Sequence, residues 1–211
     1  MRKPLLALFL ALSLTLGLAA CGSTPAPEAD NAASDSAPSE STPQTEASGG
    51  VLVAYFSATG NTEGVAQQLA GLLSADLYAI TPAEPYTEAD LDYTNPNSRS
   101  QVEGSDPDAR PALAGEALDL TGYDTIFLGY PIWNGQAPKL LSTFLETYDC
   151  TGKTIVPFCT SGSSGIGASA TDLHGLAPST SWLSGRRFSG TVAASELAEW
   201  VSELSLPEGT V

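Results

Sequence analysis

Six consecutive residues, Ser57-Ala58-Thr59-Gly60-Asn61-Thr62, put three hydroxyls, a carboxamide and a glycine where an apolar run gives way to a helical pattern. Hydroxyl and amide groups donate to an anion, and a glycine lets the backbone bend so that N–H groups turn inward. A helix N-terminus adds the positive end of its dipole. No Lys or Arg lies in the stretch, so an anion here is held by neutral donors. Read alone, the stretch fits a Ser or Thr helix cap as well as an anion site. A second segment, Pro131-Ile132-Trp133-Asn134, sets an apolar Trp beside a carboxamide, which suits either stacking on a flat ligand or covering a core edge. A third, Thr160-Ser161-Gly162-Ser163, offers hydroxyls and backbone amides.

Other chemistries are poorly supplied. There is one imidazole, His174, which is expected to be a solvated helix residue rather than a proton donor. "SGSSG" fails the G-x-S-x-G spacing of a nucleophile elbow. No Cys pair stands at metal-ligand spacing.

The elements that position the three segments alternate. Apolar runs predict strands at 51–56, 76–80, 125–130 and 154–159, with a weak fifth strand at 181–188. Helical spacing predicts helices at 62–73, 138–147, 169–176 and 195–204. Pro157 deprives the fourth strand of a ladder donor. Such alternation implies right-handed crossovers and a parallel sheet covered on both faces. Ligands in such sheets bind beyond the carboxyl ends of the strands, which nominates the loops 57–62, 131–138 and 160–167. The connection 81–122 is long, polar and hard to read, a length usual for functional or disordered loops. Within it Arg99 and Glu103 are expected to pair at the surface, with a place at the site as the alternative.

Three motifs in this order resemble the flavodoxin superfamily. "FSATGNTE" (Phe56–Glu63) is similar to its phosphate loop, T/S-x-T-G-N-T-E. "GYPIWNGQAPKLLSTFLE" resembles the loop that sets a Trp beside the flavin, and "GKTIVPFCTSGSSG" the strand and loop on the other side of the ring. The resemblance implies an α/β, flavodoxin-like, doubly wound five-stranded parallel sheet of order 2-1-3-4-5, with helices on both faces. It implies non-covalent FMN as cofactor, electron transfer as activity, and a site made of Ser57, Ala58, Thr59, Gly60, Asn61, Thr62, Pro131, Ile132, Trp133, Asn134, Thr160, Ser161, Gly162 and Ser163. No catalytic side chain is assigned. "TSGSSGIG" lacks the aromatic that many flavodoxins stack on the second flavin face. An open face suits a reductase of a quinone or other small acceptor, and a redox partner protein is the other expected acceptor. The competing function is a binding module of the same fold, its flavin site lost or retuned to another phosphorylated ligand.

The N-terminus bears on location. Arg2 and Lys3 precede an apolar run from Leu5 to Leu18, too short for a comfortable membrane span and typical of an export signal. "LAAC" (Leu18–Cys21) resembles the bacterial lipoprotein cleavage motif, which implies a signal peptide at 1–20 and lipidation of Cys21. Residues 22–50 hold no Val, Ile, Leu, Met or aromatic side chain, so 21–50 is read as a disordered, lipid-anchored tether spanning on the order of 30 Å. The folded domain is expected at 51–211, outside the cytoplasmic membrane and attached to it only through lipid. Without residues 1–20, six Lys and Arg face 24 Asp and Glu, a net charge of −18. Nucleic acid is a poor partner for such a surface. Cys150 and Cys159 stand at opposite ends of the fourth strand, roughly 20 Å apart, beyond the ~7 Å Cα reach of a disulfide. Both are expected to be free and mostly buried.

Overall fold

The computed structural model describes residues 49–115, 117–207 and Thr210. The expected signal peptide, Cys21 and nearly all of the expected tether lie outside the described residues. Among the described residues no helix is long and apolar enough to cross a membrane.

The central sheet is built from β1 (Gly50–Tyr55), β2 (Asp76–Ala79), β5 (Tyr123–Pro131), β6 (Thr154–Thr160) and the edge segments β7 (Ser181–Trp182) and β8 (Arg186–Phe188). Its order is β2-β1-β5-β6-β7, with β8 also on β6, and every pairing is parallel. In strand positions this is the expected 2-1-3-4-5. The helices are α1 (Asn61–Leu73), α2 (Arg99–Ser105), α3 (Lys139–Thr147), α4 (Ala194–Glu203) and a 3₁₀ turn, Thr171–Leu176. A two-residue hairpin, β3 (Thr81–Pro82) with β4 (Leu113–Ala114), closes the base of the long connection.

The central strands are apolar through their middles, Val51–Tyr55, Ile126–Leu128 and Ile155–Val156, because both faces are covered there. Leu52, Ala54, Ile126, Leu128, Tyr130 and Ile155 pack toward α3, whose Leu140, Leu141, Phe144 and Leu145 supply the other half of that layer. The alternate residues, Val51, Val53, Tyr55, Phe127, Val156 and Phe158, meet Val65 and Leu69 of α1 and Leu197 and Trp200 of α4. Trp200 binds this second layer together, its ring 5.2–6.4 Å from those of Phe127, Phe158 and Phe188.

The fifth strand is in two pieces rather than continuous over 181–188. Ile155 accepts from the Leu183 N–H (2.9 Å), so residues 155, 157 and 159 turn their backbone polar groups toward this edge. Pro157 therefore has no N–H to offer where the strand breaks. Gly185 fills the gap at close quarters: a Cβ there would lie 2.7 Å from the Pro157 carbonyl oxygen and 2.5 Å from Ile166. Cys150 and Cys159 are free and buried, as expected, and burial pushes the Cys159 thiol up to about 12.

Candidate functional site

All three nominated segments leave the carboxyl ends of neighbouring strands. Phe56 N–H donates to the Gly129 carbonyl (2.9 Å), Ile132 N–H to that of Thr160 (3.0 Å), and Ser161 N–H to that of Phe188 (3.2 Å). These bonds lock the loops to one another where the ladders end. Between them lies a cavity of about 300 Å³ lined by Thr59, Asn61, Pro131, Thr160, Ser161, Gly162, Ser189 and Gly190. Six of those eight are sequence-predicted site residues.

The first segment is not a helix cap. Gly60 occupies the N-cap of α1 at φ +84°, a left-handed conformation natural to glycine, and no side chain caps the helix. The first intrahelical bond runs from Gly64 N–H to Gly60 O (3.0 Å), so the N–H groups of Asn61, Thr62 and Glu63 precede it with no side-chain acceptor. Asn61 Nδ2 donates to Thr59 Oγ1 (3.1 Å), which holds both side chains at the mouth. Thr62 is turned inward: it is 1% exposed, and its hydroxyl pairs with that of Thr160 (2.8 Å). That bond uses one of the two hydroxyl protons and leaves the other to donate. Ser57 points elsewhere, into a smaller recess with Tyr55, Glu63 and Pro82.

The third segment is held from behind. Arg187 of β8 donates to the Ser161 and Gly162 carbonyls (2.5 and 2.8 Å) and to Ser161 Oγ (3.2 Å), while Ser161 Oγ donates to the Ser164 carbonyl. Ser163 is exposed and stands outside the lining. Gly190, reached through the broken fifth strand, completes the wall. A Cβ there would fall 2.3 Å from Asn61 Oδ1. Ser189 and Gly190 were not legible in the sequence, because no pattern marks the end of so weak a strand.

In the second segment Pro131 is the last residue of β5 and lines the cavity, while Ile132, Trp133 and Asn134 continue past it. Trp133 and Gln136 exchange both backbone hydrogen bonds (3.0 and 2.9 Å), and Asn134 and Gly135 sit at φ +51° and +77°. This is a two-residue hairpin turn of the Asn-Gly kind. Trp133 is half-buried, its ring edge-on to Phe56 (5.4 Å) and Tyr86 (4.9 Å). Arg99 and Glu103 do pair (2.6 Å), and they also reach this loop through Tyr86.

His174 is neither solvated nor near the cavity. It is half-buried and stacked on Trp182 (4.5 Å) at the opposite, amino-terminal edge of the sheet. Among the described residues no group of three acidic, His or Cys side chains is placed to hold a metal.

A sequence model of the flavodoxins matches residues 50–204. The chain belongs to the flavodoxin family. Among solved structures, this flavodoxin is similar to a protein of Bacteroides eggerthii DSM 20697 provisionally named a flavoprotein, with 44% identity and a TM-score of 0.71 over 75% of this chain and 99% of that one. A second, from Bacteroides uniformis ATCC 8492 and named in the same provisional way, gives 43%, 0.71, 74% and 99%. A flavoprotein of Lactobacillus acidophilus NCFM, solved in complex with FMN, shares the fold at 20% identity and a TM-score of 0.54, covering 72% of this chain and 99% of that one. No curated protein matches the chain.

Proposed function

We propose that this flavodoxin binds FMN non-covalently in the cavity at the carboxyl edge of the sheet and transfers electrons through it. The observation that carries the reading is the uncapped N-terminus of α1 at the base of that cavity, with Thr59 and Asn61 at its mouth. Free N–H groups and the helix dipole favour a phosphate. The residues fit that group, because Gly60 and Gly190 keep the approach clear of side chains. FMN supplies the redox chemistry when bound, and the protein supplies binding, orientation and tuning.

Thr59, Asn61, Thr62 and the first backbone amides of α1 would hold the phosphate, and Ser57, Ala58 and Gly60 shape their loop. Ile132, Trp133 and Asn134 with Pro131 would flank one side of the ring system. Thr160, Ser161, Gly162 and Ser163 would meet its polar edge. With no aromatic on the third loop, a quinone or other small acceptor has access to the flavin, which makes a reductase the narrower form of this proposal. The lipoprotein motif ending at Cys21 supports an anchored location outside the cytoplasmic membrane, where a redox protein or a small molecule would exchange electrons.

The test is a titration of the flavin-free full chain with FMN and riboflavin, followed by flavin fluorescence quenching. FMN is expected to bind, and riboflavin at least about tenfold more weakly, since each hydrogen bond to a charged group contributes about 1.5–3 kcal/mol. A chain that quenches neither overturns the FMN reading. NAD(P)H oxidation in the presence of a quinone then separates a reductase from a carrier.

A further inference from the structure

The connection between β2 and β5 carries a side-chain cluster that the cofactor reading leaves without a role. Tyr86 donates its hydroxyl to Glu103 Oε2 (2.5 Å). Glu103 Oε1 is held in turn by Arg99 Nε (2.6 Å), both from α2. The Arg99 guanidinium lies over the Tyr86 ring, 4.0 Å from its centroid, and also donates to the Glu84 carbonyl (2.8 Å). The ring is thus fixed at its hydroxyl and on one face. What remains of it meets Trp133 edge-on at 4.9 Å and Phe56 at 5.7 Å. A second link is independent of the first: Gln101 of α2 and Asn134 exchange amide hydrogen bonds (2.8 and 3.2 Å). Asn134, at φ +51°, is the first of the two turn residues in the hairpin that carries Trp133.

We infer that Tyr86, pinned by Arg99 and Glu103, is a positioning residue that sets the pose of the Trp133 hairpin beside the flavin. The inference rests on the FMN reading for what Trp133 touches, but not for the clamp itself. Pieces of the cluster are modest alone. An exposed ion pair contributes little, whereas here the pair is largely shielded and the hydroxyl links it to an edge-on aromatic contact. Groups sharing one network act together, so their removal is not additive. A Trp edge that shifts on a flat ring changes both the contact and the polarity that the ring feels. Affinity and reduction potential are therefore the quantities that this clamp controls.

The test uses the full chain with Tyr86→Phe, Glu103→Gln and the double substitution. Phenylalanine keeps the ring and removes only the hydroxyl. Glutamine keeps an acceptor for Tyr86 and removes the charge that holds Arg99. In the flavin-free protein, hydrogen exchange at Trp133–Gln136 is expected to accelerate about tenfold in either single variant, which corresponds to ~1.4 kcal/mol of lost local protection. The amides of β1 and β6 should keep theirs. In the FMN-loaded protein the same variants are expected to weaken FMN binding and shift its reduction potential, with the double variant no worse than the more affected single one. Unchanged exchange at Trp133–Gln136 overturns the inference, and so does an unchanged potential in an FMN-loaded variant. If the unsubstituted chain takes no FMN, the proposed cofactor falls, while the exchange data still decide whether the clamp exists.

Discussion

The two edges of one sheet spend their polar groups in opposite ways. At the amino edge the turns close on themselves. Asp119 accepts from Thr121 N–H and Asp149 from Thr151 N–H (2.9 Å each), and Lys153 donates to the Leu120 and Tyr123 carbonyls (2.7 Å each). At the carboxyl edge, α1 begins without a side-chain cap, and its first residue, Asn61, lines a cavity. The cavities at the amino edge are larger, about 480 and 400 Å³ against 300 Å³. Volume therefore does not locate the site. What locates it is a helix start at a cavity. Helices α2, α3 and α4 also begin without a side-chain cap, whereas α1 sets its first residue, Asn61, in the cavity lining, where its donors are available to an anion.

The strongest way to break this contrast is to fill the carboxyl-edge cavity. Gly190→Val puts a side chain against Asn61, which a Cβ alone would approach to 2.3 Å. Displacing Asn61 and its partner Thr59 removes two donors. FMN affinity should fall by about a hundredfold or more, read by fluorescence titration, with little change in Tm because residue 190 is exposed.

Lys153→Met tests the other edge. Two half-buried carbonyls lose their donor, so stability should fall by about 1–3 kcal/mol in urea unfolding, with FMN affinity unchanged. Gly60→Ala acts on both properties. Forcing an L-residue to φ +84° costs about 1–2 kcal/mol and shifts the start of α1 beside the cavity, so Tm and FMN affinity should fall together.

Protonation separates the edges further. Side-chain and backbone donors on Thr151 hold the Asp149 carboxyl below its usual range, and backbone and side-chain donors on Thr121 do so for Asp119. A depressed folded pKa contributes stability above the unfolded value of about 3.9, lost as pH falls through the lower folded value. The urea midpoint should therefore decline below about pH 4, and Asp149→Asn should flatten that decline. The smallest expected effect is that of salt. No Lys or Arg lines the cavity, so salt has no local ion pair to weaken. It screens only the repulsion between an acidic chain and the phosphate, so FMN affinity should rise slightly from low to physiological ionic strength.

Legibility in the sequence followed locality. The loop 57–62 was readable because strand, turn and helix are contiguous, and the topology rule carried Pro131 and Thr160 to the same edge. Gly60 was readable as a bend, but its N-cap place, which leaves neither threonine capping the helix, needed backbone angles. The break in the fifth strand was foreshadowed by Pro157, although the sequence does not say which neighbour loses the bond. Ser189 and Gly190 follow from that break and were missed. The Tyr86 cluster was missed for another reason. Its other contacts join residues 13 to 47 positions apart, which leave no periodic trace, and only the i,i+4 spacing of Arg99 and Glu103 was visible. Arg187 likewise carried no signal, since its partners are backbone carbonyls of a loop 25 residues away.

The central claim is that the uncapped start of α1 holds the phosphate of FMN. Backbone amide shifts of the ¹⁵N-labelled full chain, followed by NMR while FMN is added, test it directly. Large, saturating shifts are expected at Asn61, Thr62 and Glu63, with further shifts at Ser161, Gly162 and Gly190, and none at 119–121 or 149–151. Shifts confined to the amino edge, or none at residues 61–63 at saturation, would contradict the account.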